Sequence, residues 1–146
     1  MTKELELEVV TPARSVLRAK ARSVILPGTD GYLGIMAGHA PLVAGLSVGV
    51  LKYGEPGAEK HQMAIGGGFV EVANDRVTVL ADTAEAAEEI DVDRAYRALQ
   101  RALERLHSIS QDIDRERAQR ALMRARARLR AAGVNPSAAR PGGSHH

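Results

Sequence analysis

At 146 residues, 45% hydrophobic and 26% charged, the chain has the composition of one soluble globular domain with an extension. It contains no cysteine, which excludes a disulfide framework, a thiolate zinc site and a thiol nucleophile, and its 3% aromatic content leaves a core of Val, Leu, Ile and Ala. The net charge of +2 hides a split: residues 1–90 carry 8 basic and 12 acidic side chains (net −4), and residues 91–146 carry 12 and 6 (net +6). Such a basic half attracts its own acidic half or seeks an acidic partner.

The N-terminus, Met1 to Glu8, is acidic and alternating, with none of the basic and apolar segments of a secretory signal. Nothing approaches the ~18 continuous apolar residues of a membrane span, so the expected location is cytoplasmic. Leu5 to Val9 alternates with period two, the pattern of a strand with one buried face. After a turn at Thr11-Pro12, short strands are expected at Ser23–Leu26, Tyr32–Ile35, Val48–Tyr53, Met63–Ile65, Phe69–Ala73 and Arg76–Leu80, separated by Gly, Pro, Asn and Asp. Val70 to Leu80 predicts a hairpin across a two-residue Asn74-Asp75 turn. Gly66-Gly67-Gly68 leads into a strand, so it cannot set a phosphate at a helix N-terminus; it predicts a bulge or a close backbone approach.

Glycine and proline are then absent until Gly133. Residues 82–90 form an acidic hinge, and Asp91 is placed to cap the helix that follows. Ala95, Leu99, Ala102, Leu103 and Leu106 recur at helical spacing; Ile113, Ala118, Ala121, Leu122, Ala125, Leu129 and Ala132 repeat the pattern after the polar stretch from His107 to Asp112. The reading is α+β: an N-terminal antiparallel β-sandwich (1–88), a C-terminal antiparallel two-helix hairpin with an alanine-rich seam (89–132) and a disordered tail (133–146). Alanine buries little area, so the hairpin's hold on the sandwich should be modest.

No catalytic constellation is present. The histidines, at 39, 61, 107, 145 and 146, lack metal-site spacing, and neither a Gly-x-Ser-x-Gly elbow nor a phosphate-binding Gly-x-x-x-x-Gly-Lys-Ser/Thr loop occurs. The stretch Asp30 to Val43 predicts a tight turn presenting Tyr32 and His39, the latter satisfying backbone groups or facing a partner. Eleven arginines between Arg94 and Arg130 allow a nucleic-acid-binding module as an alternative. Against it, the helices carry one aromatic, Tyr96, and interleaved acids. Arg117, Arg120, Arg124 and Arg128 share one side of the second helix, which suits a protein partner or a bound anion.

Five motifs in order, Val9-Val-Thr-Pro12, Leu26-Pro-Gly-x-Asp-Gly-Tyr-Leu-Gly-Ile35, Gly38-His-Ala-Pro-Leu-Val43, Gly67-Gly-Phe-Val-Glu-Val72 and Ile90-Asp-Val-Asp-Arg-Ala95, resemble the epsilon subunit of bacterial F-type ATP synthase. Each is weak alone, but the ordered set covers residues 5–130 without a large insertion. The resemblance implies a non-catalytic subunit of the central stalk, peripheral on the cytoplasmic face of the bacterial plasma membrane, whose sandwich contacts the gamma subunit and the c-ring. It further implies helices that fold on the sandwich or extend into the alpha/beta hexamer and block ATP hydrolysis. No cofactor or metal is required, but some relatives bind regulatory ATP through an Ile/Leu-Asp-x-x-Arg-Ala motif. That motif stands here as Ile90, Asp91, Arg94 and Ala95, with Glu85, Arg101, Arg124 and Arg128 as its accompanying residues. From the residues alone, Asp91 is equally an N-cap with Arg94 as its ion-pair partner. Tyr32 stands where many relatives carry glutamate towards the c-ring, and His39 keeps the family residue, which implies two interface positions.

Overall fold

The computed structural model describes residues 3–108 and 112–136. Strand β1 (Leu5–Val10) buries Leu5, Leu7 and Val9 and exposes Glu6, as its alternation requires. It pairs antiparallel with β2 (Ser15–Ala21) and in parallel with β7 (Arg76–Ala81). Strands β3 (Ser23–Gly28) and β4 (Gly31–Ile35) form a hairpin. Strands β5 (Leu42–Glu55) and β6 (Ala58–Ala73) form a much longer one, and β8 (Ala84–Ala86) adds to β6. The strand order is β2-β1-β7-β6-β5-β3-β4.

Two corners fold this ladder into a sandwich. β6 pairs with β7 along Gly68–Ala73 but with β8 along Met63–Ile65, and the change falls on Gly66–Gly68. Gly67 and Gly68 have φ of 97° and 132°, outside the range of other residues. A Cβ at Gly68 would also collide with the Leu80 carbonyl oxygen, so the triple glycine is a bend where backbones approach. The second corner is Arg22, the single residue between β2 and β3, whose N–H donates to the Gly54 carbonyl at 3.1 Å. Between the layers Leu5, Leu7, Val24, Leu26, Leu51, Met63, Ile65, Val70, Val77 and Val79 form one aliphatic core.

Three elements depart from the local reading. The glycines of β5 and β6 do not end strands, because continuous ladder partners carry the chain through them. β2 has an irregular pattern with Arg18 and Lys20 outward, and β8 is a three-residue Ala-Glu-Ala segment within the expected acidic hinge; neither shows a strand signal of its own. The Asn74-Asp75 turn is as expected, with both residues at positive φ, 52° and 59°. The Asp75 carboxylate also accepts the Gly38 N–H at 2.7 Å, tying this turn to the loop after β4.

A 3₁₀ turn (Ala87–Glu89) leads to α1 (Val92–Ser108), and α2 is Asp112–Ala131. Asp91 caps α1: its Oδ1 accepts the Arg94 N–H at 3.0 Å and its carbonyl accepts from Ala95 at 3.0 Å. Ala95, Tyr96, Leu99 and Ala102 pack on Leu122, Ala125 and Leu129, the expected alanine-rich seam. On another side of α2, Ala131 rests with Ile90 on Val50 of β5 and Ala64 of β6. The hairpin is therefore folded down, with α2 between α1 and the sandwich. α2 ends in a Schellman motif: Gly133 at φ 81° donates to Arg130, Val134 donates to Leu129, and the Val134 side chain packs on the hairpin core. Residues 133 and 134 thus close the helix, while 137–146 of the expected tail, with His145 and His146, lie outside the described residues.

Replacing Gly68 by Ala combines backbone strain with a clash and should cost about 3 kcal/mol, seen as a lowered urea midpoint at unchanged slope. Asp91→Ala should remove about 1 kcal/mol from the hairpin, whereas Asp91→Ser should retain most of it, as read by thermal loss of helical ellipticity.

Candidate functional site

A surface groove of about 480 Å³ across β1, β2 and β7 is lined by five charged side chains, four of them paired across strands. Arg18 meets Glu8 at 3.1 Å and Arg76 meets Glu6 at 3.2 Å, with Lys20 beside them, and the whole lining belongs to the sandwich, so a ligand there would not touch the hairpin. A second cleft, of about 340 Å³, lies where α2 meets the sandwich and is built from both units. The sandwich side contributes Arg14 from the β1–β2 turn, Gly66 of β6, Thr83 and Glu85 around β8, and Glu89 from the 3₁₀ turn. The hairpin contributes Arg124 and Arg128, one turn apart on α2.

Glycine at 66 is a local necessity, since the Thr83 hydroxyl occupies the space a Cβ would need. The Gly66 N–H donates to the Thr83 carbonyl at 2.8 Å, which holds the segment entering β8 against β6. That pairing sets Glu85 towards α2, and its Oε1 accepts from Arg128 Nε at 3.1 Å. Both side chains are about 40% exposed (40% and 38%), so the pair is screened and worth roughly 0–1 kcal/mol. Three arginines face two glutamates in this cleft, an excess of one positive charge. Guanidinium forks match phosphate oxygens bidentately, and the carboxylates can accept from hydroxyl or amino groups.

The structure brings Glu85, Arg124 and Arg128 together and leaves the other sequence-predicted residues outside the cleft lining. Ile90 is buried beneath α2, Ala95 belongs to the helix seam, and the Asp91 carboxylate is engaged by a backbone N–H of the first turn. Arg94 is exposed on that turn, and it is its main chain rather than its guanidinium that holds Asp91 at 3.0 Å. Arg101 lines a separate shallow hollow with Tyr96, Arg97 and Gln100. Sequence reasoning missed Arg14, Gly66, Thr83 and Glu89. No local pattern marks Arg14, which is remote in sequence from every other charged residue of the cleft.

Tyr32 and His39 lie at opposite ends of β4. Tyr32 is 60% exposed, its hydroxyl accepts the Val50 N–H at 3.4 Å, and it lines a hollow with Arg130 and Val134 at the end of the hairpin. His39 is exposed in the loop after β4, where its N–H donates to Met36 at 3.1 Å and Nδ1 donates to the Ala40 carbonyl at 2.7 Å. His39 thus satisfies a backbone carbonyl of its own turn, and its side chain is exposed. On the outer face of the sandwich Phe69 and its ladder neighbour Leu80 are 60% and 54% exposed, with Val43 at 71% one step along β5. Together they make an exposed apolar patch on that face.

The sandwich and the hairpin each match a family model. Residues 4–87 match the beta-sandwich domain, and residues 88–133 the long alpha-helix domain, of the ATP synthase delta/epsilon chain. The chain is 49% identical over 108 residues to the ATP synthase epsilon chain of Desulforamulus reducens, covering 74% of this chain and 81% of the relative. It is 53% identical over 104 residues to that of Symbiobacterium thermophilum, covering 70% and 74%. Among solved structures, a chain of the Euglena gracilis mitochondrial ATP synthase, OSCP/F1/c-ring in rotational state 1, superposes with a TM-score of 0.75 at 27% identity, over 88% of this chain and 81% of that one. A sandwich followed by a folded-down hairpin, matched by the family's two domain models from residue 4 to 133 and by relatives about half identical over 70–74% of the chain, places the chain in the family of epsilon subunits of bacterial F-type ATP synthases.

Proposed function

We propose that this chain is a non-catalytic rotor subunit that couples gamma to the c-ring, that its hairpin inhibits ATP hydrolysis when it leaves the sandwich, and that ATP bound in the α2 cleft holds the hairpin down. The observation that carries the reading is the cleft's joint construction, with Arg124 and Arg128 on the hairpin and Glu85 on the sandwich. A ligand that needs both walls binds the folded state and not the extended one, so it stabilises folding-down in proportion to its occupancy. The phosphates would draw on Arg124 and Arg128. Freeing Arg128 from Glu85 costs little because that pair is half exposed. Glu85 is then available to a ribose hydroxyl or the adenine amino group.

Detachment requires two states close in free energy, and the docking contact is thin. Ala131 meets Val50 and Ala64, with Ile90 as its one large aliphatic partner. Once extended, the exposed arginines of α1 and α2 would pair with acidic surfaces of the alpha and beta catalytic subunits through charge-assisted hydrogen bonds. The sandwich remains as the docking module: Val43, Phe69 and Leu80 suit an apolar face on gamma, and Tyr32 at the start of β4 and His39 in the loop after it suit the polar loops of the c-ring. The subunit would thus be peripheral, on the cytoplasmic face of the plasma membrane.

Removing residues 91–146 should leave assembly intact and raise ATP hydrolysis by the complex; unchanged hydrolysis removes the inhibitory role. Calorimetric titration of the full chain with ATP should show binding that Arg124→Ala and Arg128→Ala each weaken by about tenfold, the loss of one charge-assisted contact. Absence of heat at millimolar ATP would refute the nucleotide site.

A further inference from the structure

We infer that Arg14 is a phosphate-binding residue of this cleft and that through it the sandwich itself grips the ligand, an inference that rests on the ATP reading above. Arg14 closes the turn between β1 and β2. Its carbonyl accepts the Thr11 N–H at 2.9 Å and the Thr11 hydroxyl at 3.3 Å, so the backbone carrying it is held at the entrance to β2. The side chain is exposed on the sandwich wall of the cleft, across from Arg124 and Arg128.

The charge layout makes this position decisive. Among the residues lining the cleft, the sandwich wall has Glu85 and Glu89 as its acids and Arg14 as its cation, whereas both hairpin residues with charge are arginines. Without Arg14 a triphosphate would be attracted by α2 and repelled by the sandwich wall, and would favour docking weakly. With Arg14 the anion bridges guanidinium groups on both units, and each unit holds the other through it. Arg14 therefore adds to the Glu85 contact a cationic grip by the sandwich on the phosphates, which strengthens hairpin retention. It lies outside the hairpin motif, and only the fold of β1 and β2 brings it to α2.

The test is calorimetric titration of ATP into the full-length chain and its Arg14→Ala, Arg14→Lys and Arg128→Ala variants. It is paired with a fluorescence distance between a dye on α2 and a dye on the sandwich. Arg14→Ala should weaken ATP binding by about tenfold and lower the ATP-dependent gain in the docked signal, while Arg14→Lys recovers most of both. Because the residue is exposed in a turn, the melting midpoint without ATP should stay unchanged, which separates ligand contact from a structural role. Wild-type affinity and docking in Arg14→Ala, alongside weakened binding in Arg128→Ala, would overturn the role of Arg14 and leave the ATP site standing. A wild-type chain that binds no ATP would overturn both.

Discussion

Helix α2 has to bury two faces at once, and the rest of the molecule depends on how it does so. Leu122, Ala125 and Leu129 lie against α1, while Ala131 lies against Val50 and Ala64 of the sandwich. Small side chains on the sandwich face let the helix axis approach the strands closely, at the expense of buried area. The two contacts are therefore unequal. The hairpin seam has leucines from both helices and Tyr96, whereas the sandwich contact is mostly alanine around Val50 and Ile90. The Schellman cap at Gly133 and Val134 adds to the hairpin core and so keeps α2 helical to its end.

Burying two faces also decides where the arginines go. Most are exposed, but Arg124 and Arg128 fall at the edge of the buried strip and are only partly accessible. They meet the acidic segment that runs from β8 into the 3₁₀ turn, so the opposite net charges of the two halves come into contact along one line, marked by the Glu85–Arg128 pair. Elsewhere on the sandwich several charges pair across neighbouring strands, Glu8 with Arg18 and Glu6 with Arg76. The cleft between hairpin and sandwich has three arginines against two glutamates. On the proposed reading that placement links electrostatics to docking, because an anion that needs both walls and the docking of the helices would share one equilibrium.

Much of this was legible locally. Period-two alternation placed Leu5, Leu7 and Val9 inside, Asn74-Asp75 announced a turn with two positive φ angles, and Asp91 announced a helix start that its carboxylate caps at 3.0 Å. The glycines were harder. Gly66–Gly68 read as a break between two strands because a chain segment alone has no ladder to hold it extended; paired over almost their full length, β5 and β6 absorb it as a bend. β8 shows the same dependence, being a strand only because β6 offers it an edge.

The sequence by itself determined the two building rules, the seam of the hairpin, the cap that starts it, and the family, because each rests on periodicity, propensity or ordered short motifs. Of the cleft it held three members, Glu85, Arg124 and Arg128, all near or within the helical part. Tertiary structure alone decided that Arg14 joins them, that Arg101 stands apart, and that Thr83 sits over Gly66. The reason is geometric: which strand edge faces which helix follows from the two corners of the sandwich, and residues far apart in the chain acquire a common site only after those corners are made.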